Sequence, residues 1–192
     1  MRVQIYFVRH AEAQTNADPL FKGEDTLTDL GVQQASSLAE CFKNIPIETI
    51  YVSPTLRAQL TAKAIEQAIG ITPTNLEYLK ERKGSYSQDK IFIHSEAFAD
   101  FKIRLAEFKK LLEHSTQKYI LVVGHAIYLK SFAAYVMLGD ALTEDLLLRI
   151  ESMLTFDNAA ISKFMYNQEK GKWHLELWND QKHLNVSELQ NK

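Results

Sequence analysis

Two apolar runs in this sequence end in the same side chain: Phe7-Val8-Arg9-His10 closes the first, and Val122-Val123-Gly124-His125 closes another. A strand that stops at Arg-His leaves a guanidinium and an imidazole at its carboxyl end, where open α/β sheets bind their ligands. This makes His10 a candidate nucleophile and Arg9 an anion clamp. Arg57 follows Ser53-Pro54, a pair that reads as a hydroxyl cap with proline at the first helical position. It then lies in the first turn of a helix, where its charge and the helix dipole act on the same anion. Parallel strands would bring His10, His125, Arg9 and Arg57 to one sheet edge, a set suited to a phosphoryl group.

The elements that must position them can be read from periodicity. Arg2 to Val8, rich in β-branched and aromatic residues, reads as a central strand, and Asn16 to Thr26 as a loop beside its end. Thr28 caps a first helix carrying Ala35, Leu38, Ala39 and Phe42; Thr49 to Val52 is a second strand; a second helix runs from Ser53-Pro54 to about Gly70. From Thr72 to His94 no period holds, which reads as an excursion over the site. Ser95 then caps a third helix with Phe98, Phe101, Leu105, Phe108 and Leu112 on one face, a stripe that belongs to a core. Lys118 to Gly124 is apolar on both faces and so central in the sheet. A helix from Ala126 to about Leu138 and a short helical segment around Thr143 to Arg149 follow. Later strands are expected near Ser152 to Phe156, Ala160 to Tyr166 and Lys172 to Trp178, before a polar tail from Asp180 that could be loosely held. This order gives an α/β protein, a three-layer sandwich around a largely parallel sheet. It forms one domain over residues 1–192, with an insertion at about 72–117 over the site.

Composition bounds the partners. The chain has 192 residues, 46% of them hydrophobic, and 22 basic against 24 acidic side chains give a net charge of −2, which offers no general surface for nucleic acid. Any anion site must therefore be local. The one cysteine, Cys41, cannot make an internal disulfide, no apolar run is long enough to span a bilayer, and no secretory leader is visible, so the cytoplasm is expected. His10 and Glu12 form an H-x-E pair like that of zinc deaminases, but the PCxxC element that must accompany it is missing, and no metal site is expected. His94, His114, His174 and His183 have no partner pattern and read as structural or solvated.

The motifs resemble the histidine phosphatase superfamily, the phosphoglycerate mutase-like proteins. RHAEAQTN resembles its RHG signature; LTDLGVQQA (Leu27 to Ala35), SPTLRAQLTA (Ser53 to Ala62), VVGHA (Val122 to Ala126) and NAAI (Asn158 to Ile161) resemble its later blocks, in order. The resemblance implies that His10 forms a phosphohistidine while Arg9, Arg57 and His125 bind the phosphoryl oxygens and Asn16 also touches phosphate. The leaving alkoxide needs a proton. LKER (Leu79 to Arg82) resembles the segment that carries the acid in the mutase branch, which selects Glu81, with Glu77 in reserve. Phe21-Lys22-Gly23 is spaced like the substrate-contacting loop of that branch, so Lys22 and Gly23, with Ala126 of VVGHA, are candidate substrate-binding residues. Ala11 and Ala13 replace the signature's glycine and hydroxyl residue. Arg82, Lys83 and Lys90 form a charge run that either meets substrate anions or is a solvated face.

These readings imply a phosphomonoesterase that acts on a small phosphorylated metabolite without a cofactor. The alternatives are a phosphoglycerate mutase-type phosphotransferase, a protein phosphohistidine phosphatase, or an inactive binding module that kept the fold. Neither the substrate nor the oligomeric state can be read from the sequence.

Overall fold

The computed structural model describes residues 1–82, 84–86, 92–185 and 188–189. The chain runs β1 (Arg2–Arg9), α1 (Gln14–Ala17), α2 (Asp29–Phe42), β2 (Thr49–Val52), α3 (Leu56–Ile69), β3 (Thr74–Asn75), a 3₁₀ turn at Glu77–Leu79, and a hairpin of β4 (Gly84–Tyr86) and β5 (Phe92–His94). It continues with α4 (Phe98–Glu113), β6 (Tyr119–Gly124), α5 (Ala126–Leu138), α6 (Glu144–Met153), β7 (Ile161–Asn167) and β8 (Lys172–Asp180). The main sheet has the order β3-β2-β6-β1-β7-β8. Strands β3, β2, β6 and β1 pair in parallel, whereas β7 and β8 add antiparallel pairs.

Side-chain alternation in the two central strands divides the core into two layers. Ile5 and Phe7 of β1 and Ile120 and Val122 of β6 face α4 and α5, where Phe101, Leu105, Phe108 and Phe132 are fully buried. Val8, Leu121 and Val123 point the other way, onto Leu38 and Phe42 of α2 and Ala58, Ala62 and Ile65 of α3. Both faces of β1 and β6 are thus covered, which is why their sequences are nearly continuous apolar runs. Phe7 sits two residues before Arg9, and its ring contacts Phe132 and Phe164 at centroid distances of 5.1 and 5.3 Å. Truncating it to alanine should cost about 3–5 kcal/mol, removing support directly beneath the strand end.

Several elements differ from the sequence reading, for identifiable reasons. Helix α3 begins at Leu56 behind Thr55, not at Ser53-Pro54, because the Ser53 hydroxyl is bonded to His125 instead of capping the helix. Helix α4 is entered through Ala97, not Ser95. The stretch expected as a strand near Ser152 to Phe156 is the last turn of α6 and the coil after it: the Thr143 hydroxyl caps that helix and Leu147 anchors it in the core. Between Thr72 and His94 the chain does contribute regular structure, the edge strand β3 and the β4–β5 hairpin. The described part of the tail docks on α2, with the Gln34 amide donating to the Glu188 carbonyl at 2.9 Å and the Ser37 hydroxyl to its carboxylate at 2.6 Å. Arg82 is neither a substrate contact nor a solvated charge. It is buried over the rings of Phe98 and Phe101 and paired with Glu144. Lys83 and Lys90 lie outside the described residues.

Candidate active site

The register of the parallel strands sets the site. Arg9 pairs with Gly124, and the His10 amide donates to the Gly124 carbonyl at 2.9 Å, so His10 and His125 leave adjacent strands at the same level. The Ser53 amide donates to the Val123 carbonyl at 3.0 Å, which brings the end of β2 alongside. Three neighbouring strand ends therefore deliver His10, His125 and, in the first turn of α3, Arg57. The two imidazole rings lie 5.1 Å apart, centroid to centroid, and both residues are buried.

The hydrogen bonds determine which nitrogens carry protons. His10 Nδ1 lies 2.8 Å from the Ala11 carbonyl oxygen, which can only accept, so Nδ1 bears the hydrogen and Nε2 the lone pair. Arg57 Nε donates to that lone pair at 3.0 Å. Arg57 Nη2 lies 3.2 Å from His125 Nδ1; the guanidinium must be the donor, which leaves the hydrogen of His125 on Nε2, facing the Ser53 hydroxyl at 2.8 Å and the Thr55 hydroxyl at 3.2 Å. Both imidazoles are thereby neutral. Burial first, then His125, Arg9 and Arg57, hold His10 well below the ordinary imidazole range. Burial followed by the Arg57 and Arg9 charges does the same to His125.

Backbone contacts fix the signature segment. The Ala11 amide donates to the Thr61 hydroxyl at 3.0 Å and the Glu12 amide to the Gln34 side chain at 2.9 Å. Gly31 of α2 leaves room for this segment, since a Cβ there would come within 1.9 Å of the Glu12 carbonyl oxygen. Ala11 keeps a negative φ, so the glycine of the signature is not needed for conformation here. Ala159 has φ 57°, a left-handed geometry that is costly for alanine, and its amide is aimed at the carbonyls of Arg9 and His10. Arg9 Nη1 donates to the Phe156 carbonyl at 2.7 Å.

Glu81 lies within electrostatic reach of Arg57. Its carboxylate accepts from the Tyr128 and Ile127 amides at 2.7 and 3.2 Å, at the start of the helix that follows His125, and from the Arg82 amide at 3.2 Å. These bonds and the Arg57 charge favour the carboxylate, but burial is the larger cause and raises its pKa. Glu77 is exposed on the 3₁₀ turn and pairs with Lys80 at 2.7 Å. Asn16 is held at the site, its side-chain oxygen accepting from the Ala13 amide at 3.0 Å and from Asn158 at 3.2 Å. Asn158 in turn donates to the His10 carbonyl at 3.0 Å. Ala126 is the first residue of α5, beside His125. Lys22 and Gly23 are exposed on the loop, where the ring of Phe21 packs over Gly23. Three contributors were not singled out from the sequence: Ser53 and Asn158, whose types fit many roles, and Asp25, which binds Arg57 from a loop without any period. Among the described residues no cluster of acidic, cysteine or histidine side chains could hold a metal ion.

Two neutral imidazoles bridged by an arginine at the ends of parallel strands, in this order of blocks, define a class. The model of the histidine phosphatase superfamily (branch 1) matches residues 5–90, the stretch that carries the first three of these blocks. Among curated relatives, a protein of Hydrogenobacter thermophilus provisionally named phosphoserine phosphatase 2 is 28% identical over 147 residues, covering 64% of this chain and 72% of that one. A protein of Yersinia pestis called "Probable phosphoglycerate mutase GpmB" is 37% identical over 81 residues, 41% of this chain and 38% of that one. The fold is that of phosphoserine phosphatase from Entamoeba histolytica, solved with 3-phosphoglyceric acid (TM-score 0.76, 20% identity, 95% of this chain and 100% of that one). It is likewise that of the alpha-ribazole phosphatase from Shigella flexneri (TM-score 0.75, 22% identity, 93% and 96%).

Proposed function

We propose that this protein is a phosphomonoesterase that transfers the phosphoryl group of a small phosphorylated metabolite to His10 and then to water. The observation that carries the reading is the protonation pattern of His10: Nδ1 is committed to a backbone carbonyl, and the Nε2 lone pair faces Arg57 and the second histidine. A neutral imidazole held this way needs no deprotonation before it attacks.

In the first step Nε2 of His10 bonds to phosphorus while the ester P–O bond breaks. Arg57 and Arg9 stabilise charge on the equatorial oxygens, and His125 joins them by taking a proton on Nδ1 when the phosphoryl dianion enters and donating it to the same oxygens. Glu81, protonated in the substrate complex, gives its proton to the departing alkoxide. In the second step water attacks phosphorus, the P–N bond breaks, the electron pair returns to Nε2, and Glu81 takes the proton of the water. Asn16 supports the phosphate side, and Lys22, Gly23 and Ala126 border the remainder of the substrate. The reading includes a cytoplasmic location; among the described residues no helix is long and apolar enough to cross a membrane.

The test is phosphate release from a panel of phosphorylated metabolites and phosphopeptides by the wild type and His10→Ala. Activity confined to small esters and lost with His10 is the expected result. Release that survives the substitution would sink the mechanism. The mutase-named relative gives one competing outcome a motive, and stimulation by a bisphosphorylated primer would favour it.

A further inference from the structure

Arg57 has more bonds than the reaction can leave in place. Its Nε and Nη2 atoms form one edge of the guanidinium fork, and both are spent on histidines in the free protein, 3.0 Å from His10 Nε2 and 3.2 Å from His125 Nδ1. That edge offers two parallel N–H donors to a phosphoryl group. When His10 attacks, its lone pair is used for the bond to phosphorus, so the Nε contact must be given up as the phosphoryl arrives, and turning the Nη2 hydrogen of the same edge to a phosphoryl oxygen gives up the His125 contact too. The remaining nitrogen, Nη1, is on the opposite side of the fork and binds the Asp25 carboxylate.

Asp25 is itself fixed. The oxygen that does not meet Arg57 accepts from the Thr15 amide at 3.0 Å and from the Thr15 hydroxyl at 2.9 Å. Thr15 lies in α1, directly after the signature segment, and the loop that carries Asp25 is tied to that segment at its close: the Gln14 amide donates to the Thr26 carbonyl at 3.0 Å, and Ala13 and Leu27 form a β-bridge. This is a strut running from the residues after His10, through a carboxylate, to the far side of the arginine.

We propose that Asp25 is a positioning residue for phosphoryl transfer, holding Arg57 by Nη1 so that its Nε–Nη2 edge stays aimed at the phosphoryl group once the two histidines release it. The inference rests on the phosphatase reading above. It gives the Asn16 to Thr26 loop a task besides bordering the substrate. The alternative role for such a pair, whose side chains are 23% and 20% exposed, is an ion pair that steadies the fold without bearing on the reaction. The two differ in coupling: a positioning residue matters only through Arg57, and it acts equally on every leaving group.

The experiment is calorimetric titration of the intact protein with orthovanadate, which mimics the five-coordinate phosphorus, for wild type, Asp25→Asn, Arg57→Ala and the double variant. Asp25→Asn should weaken vanadate binding about tenfold, and Arg57→Ala about a hundredfold, with the double variant no weaker than Arg57→Ala. The loss in kcat/KM for Asp25→Asn should be the same for aryl and alkyl phosphates. Vanadate binding by Asp25→Asn within about twofold of wild type, or a full tenfold further loss in the double variant, overturns the proposal. Should Asp25→Asn lower the melting temperature, Thr15→Val removes one bond to the carboxylate and should cost about threefold, again only when Arg57 is present; no loss there overturns the proposal too. A wild type that neither binds vanadate nor needs His10 for phosphate release overturns the phosphatase reading itself. Normal wild-type binding with an unaffected Asp25→Asn overturns this inference alone.

Discussion

The two sides of the pocket are built differently. On the phosphoryl side, His10, His125 and Arg57 come from strand ends or the first turn of a helix, and the register of β1 against β6 sets the spacing of the histidines. On the side we propose for the leaving group, Glu81 comes from the coil between a 3₁₀ turn and a short hairpin, and among the described residues its bonds are to three backbone amides. The first side is anchored by the central sheet and the second by a few hydrogen bonds. A reaction whose invariant part is the phosphoryl group and whose variable part is the alcohol has a use for that division: fixed geometry for one, adjustable sequence for the other.

The division can be broken most severely at the nucleophile. His10→Ala should lower kcat by about 10⁴-fold or more for every substrate, because the proposed mechanism makes it the nucleophile. Arg57→Ala is expected to cost about 10²–10³-fold, again with no dependence on leaving group, since the proposed mechanism sets it on the equatorial oxygens. Steady-state kinetics with an aryl and an alkyl phosphate checks both. A leaving-group dependence for Arg57→Ala would show that the two sides are not separable.

The substitution on the other side should behave in the opposite way. Glu81→Gln removes the proposed acid, so alkyl phosphates should slow about 10²-fold, while an aryl phosphate with an acidic phenol should change by less than about fivefold. Equal losses would take Glu81 out of the acid role. Glu77 is no substitute, because it lies exposed on the 3₁₀ turn beside Lys80.

The same division explains what could be read in advance. Residues that end an apolar run announce themselves, because the run is a local pattern and the sheet edge is a general place for ligands; His10, His125 and Arg9 were legible on that basis. Arg57 was legible as a first-turn cation even though the cap before it was misjudged. That misjudgement came from competition: the Ser53 hydroxyl could cap a helix or bind an imidazole 72 residues away, and only the folded chain shows that His125 takes it. Ser152 to Phe156 looked like a strand because the segment is short and partly apolar, yet the Thr143 cap extends α6 through Met153 and the Phe156 carbonyl is turned to Arg9. Arg82 was misread for a related reason. A charge in a polar run is normally solvated, but here aromatic faces from α4 and the Glu144 carboxylate, 62 residues on, surround it. Asp25 carried no signal at all, being one acid in a loop with several turn residues, and its value arises wholly from where Arg57 ends.

The smallest effect expected distinguishes the two sides by the sign of a pH dependence. His10 and His125 are held neutral by burial and neighbouring positive charge, whereas in the unfolded chain both protonate near pH 6.5. The unfolded state therefore binds more protons below that pH, so the phosphoryl side is at full stability above about pH 6.5 and loses it on acidification, by up to about 1.4 kcal/mol per pH unit for each imidazole. Glu81 works in the other direction. Burial raises its folded pKa, so its contribution is complete below the ordinary carboxyl range and is lost as pH rises through the raised value. Urea unfolding at pH 5 and pH 7 should show wild type weaker at pH 5, His10→Ala with a shallower dependence, and Glu81→Gln with a steeper one. A dependence unchanged by His10→Ala would mean that His10 is not held neutral in the folded protein, and the geometry that makes its Nε2 an available nucleophile would have to be reassigned.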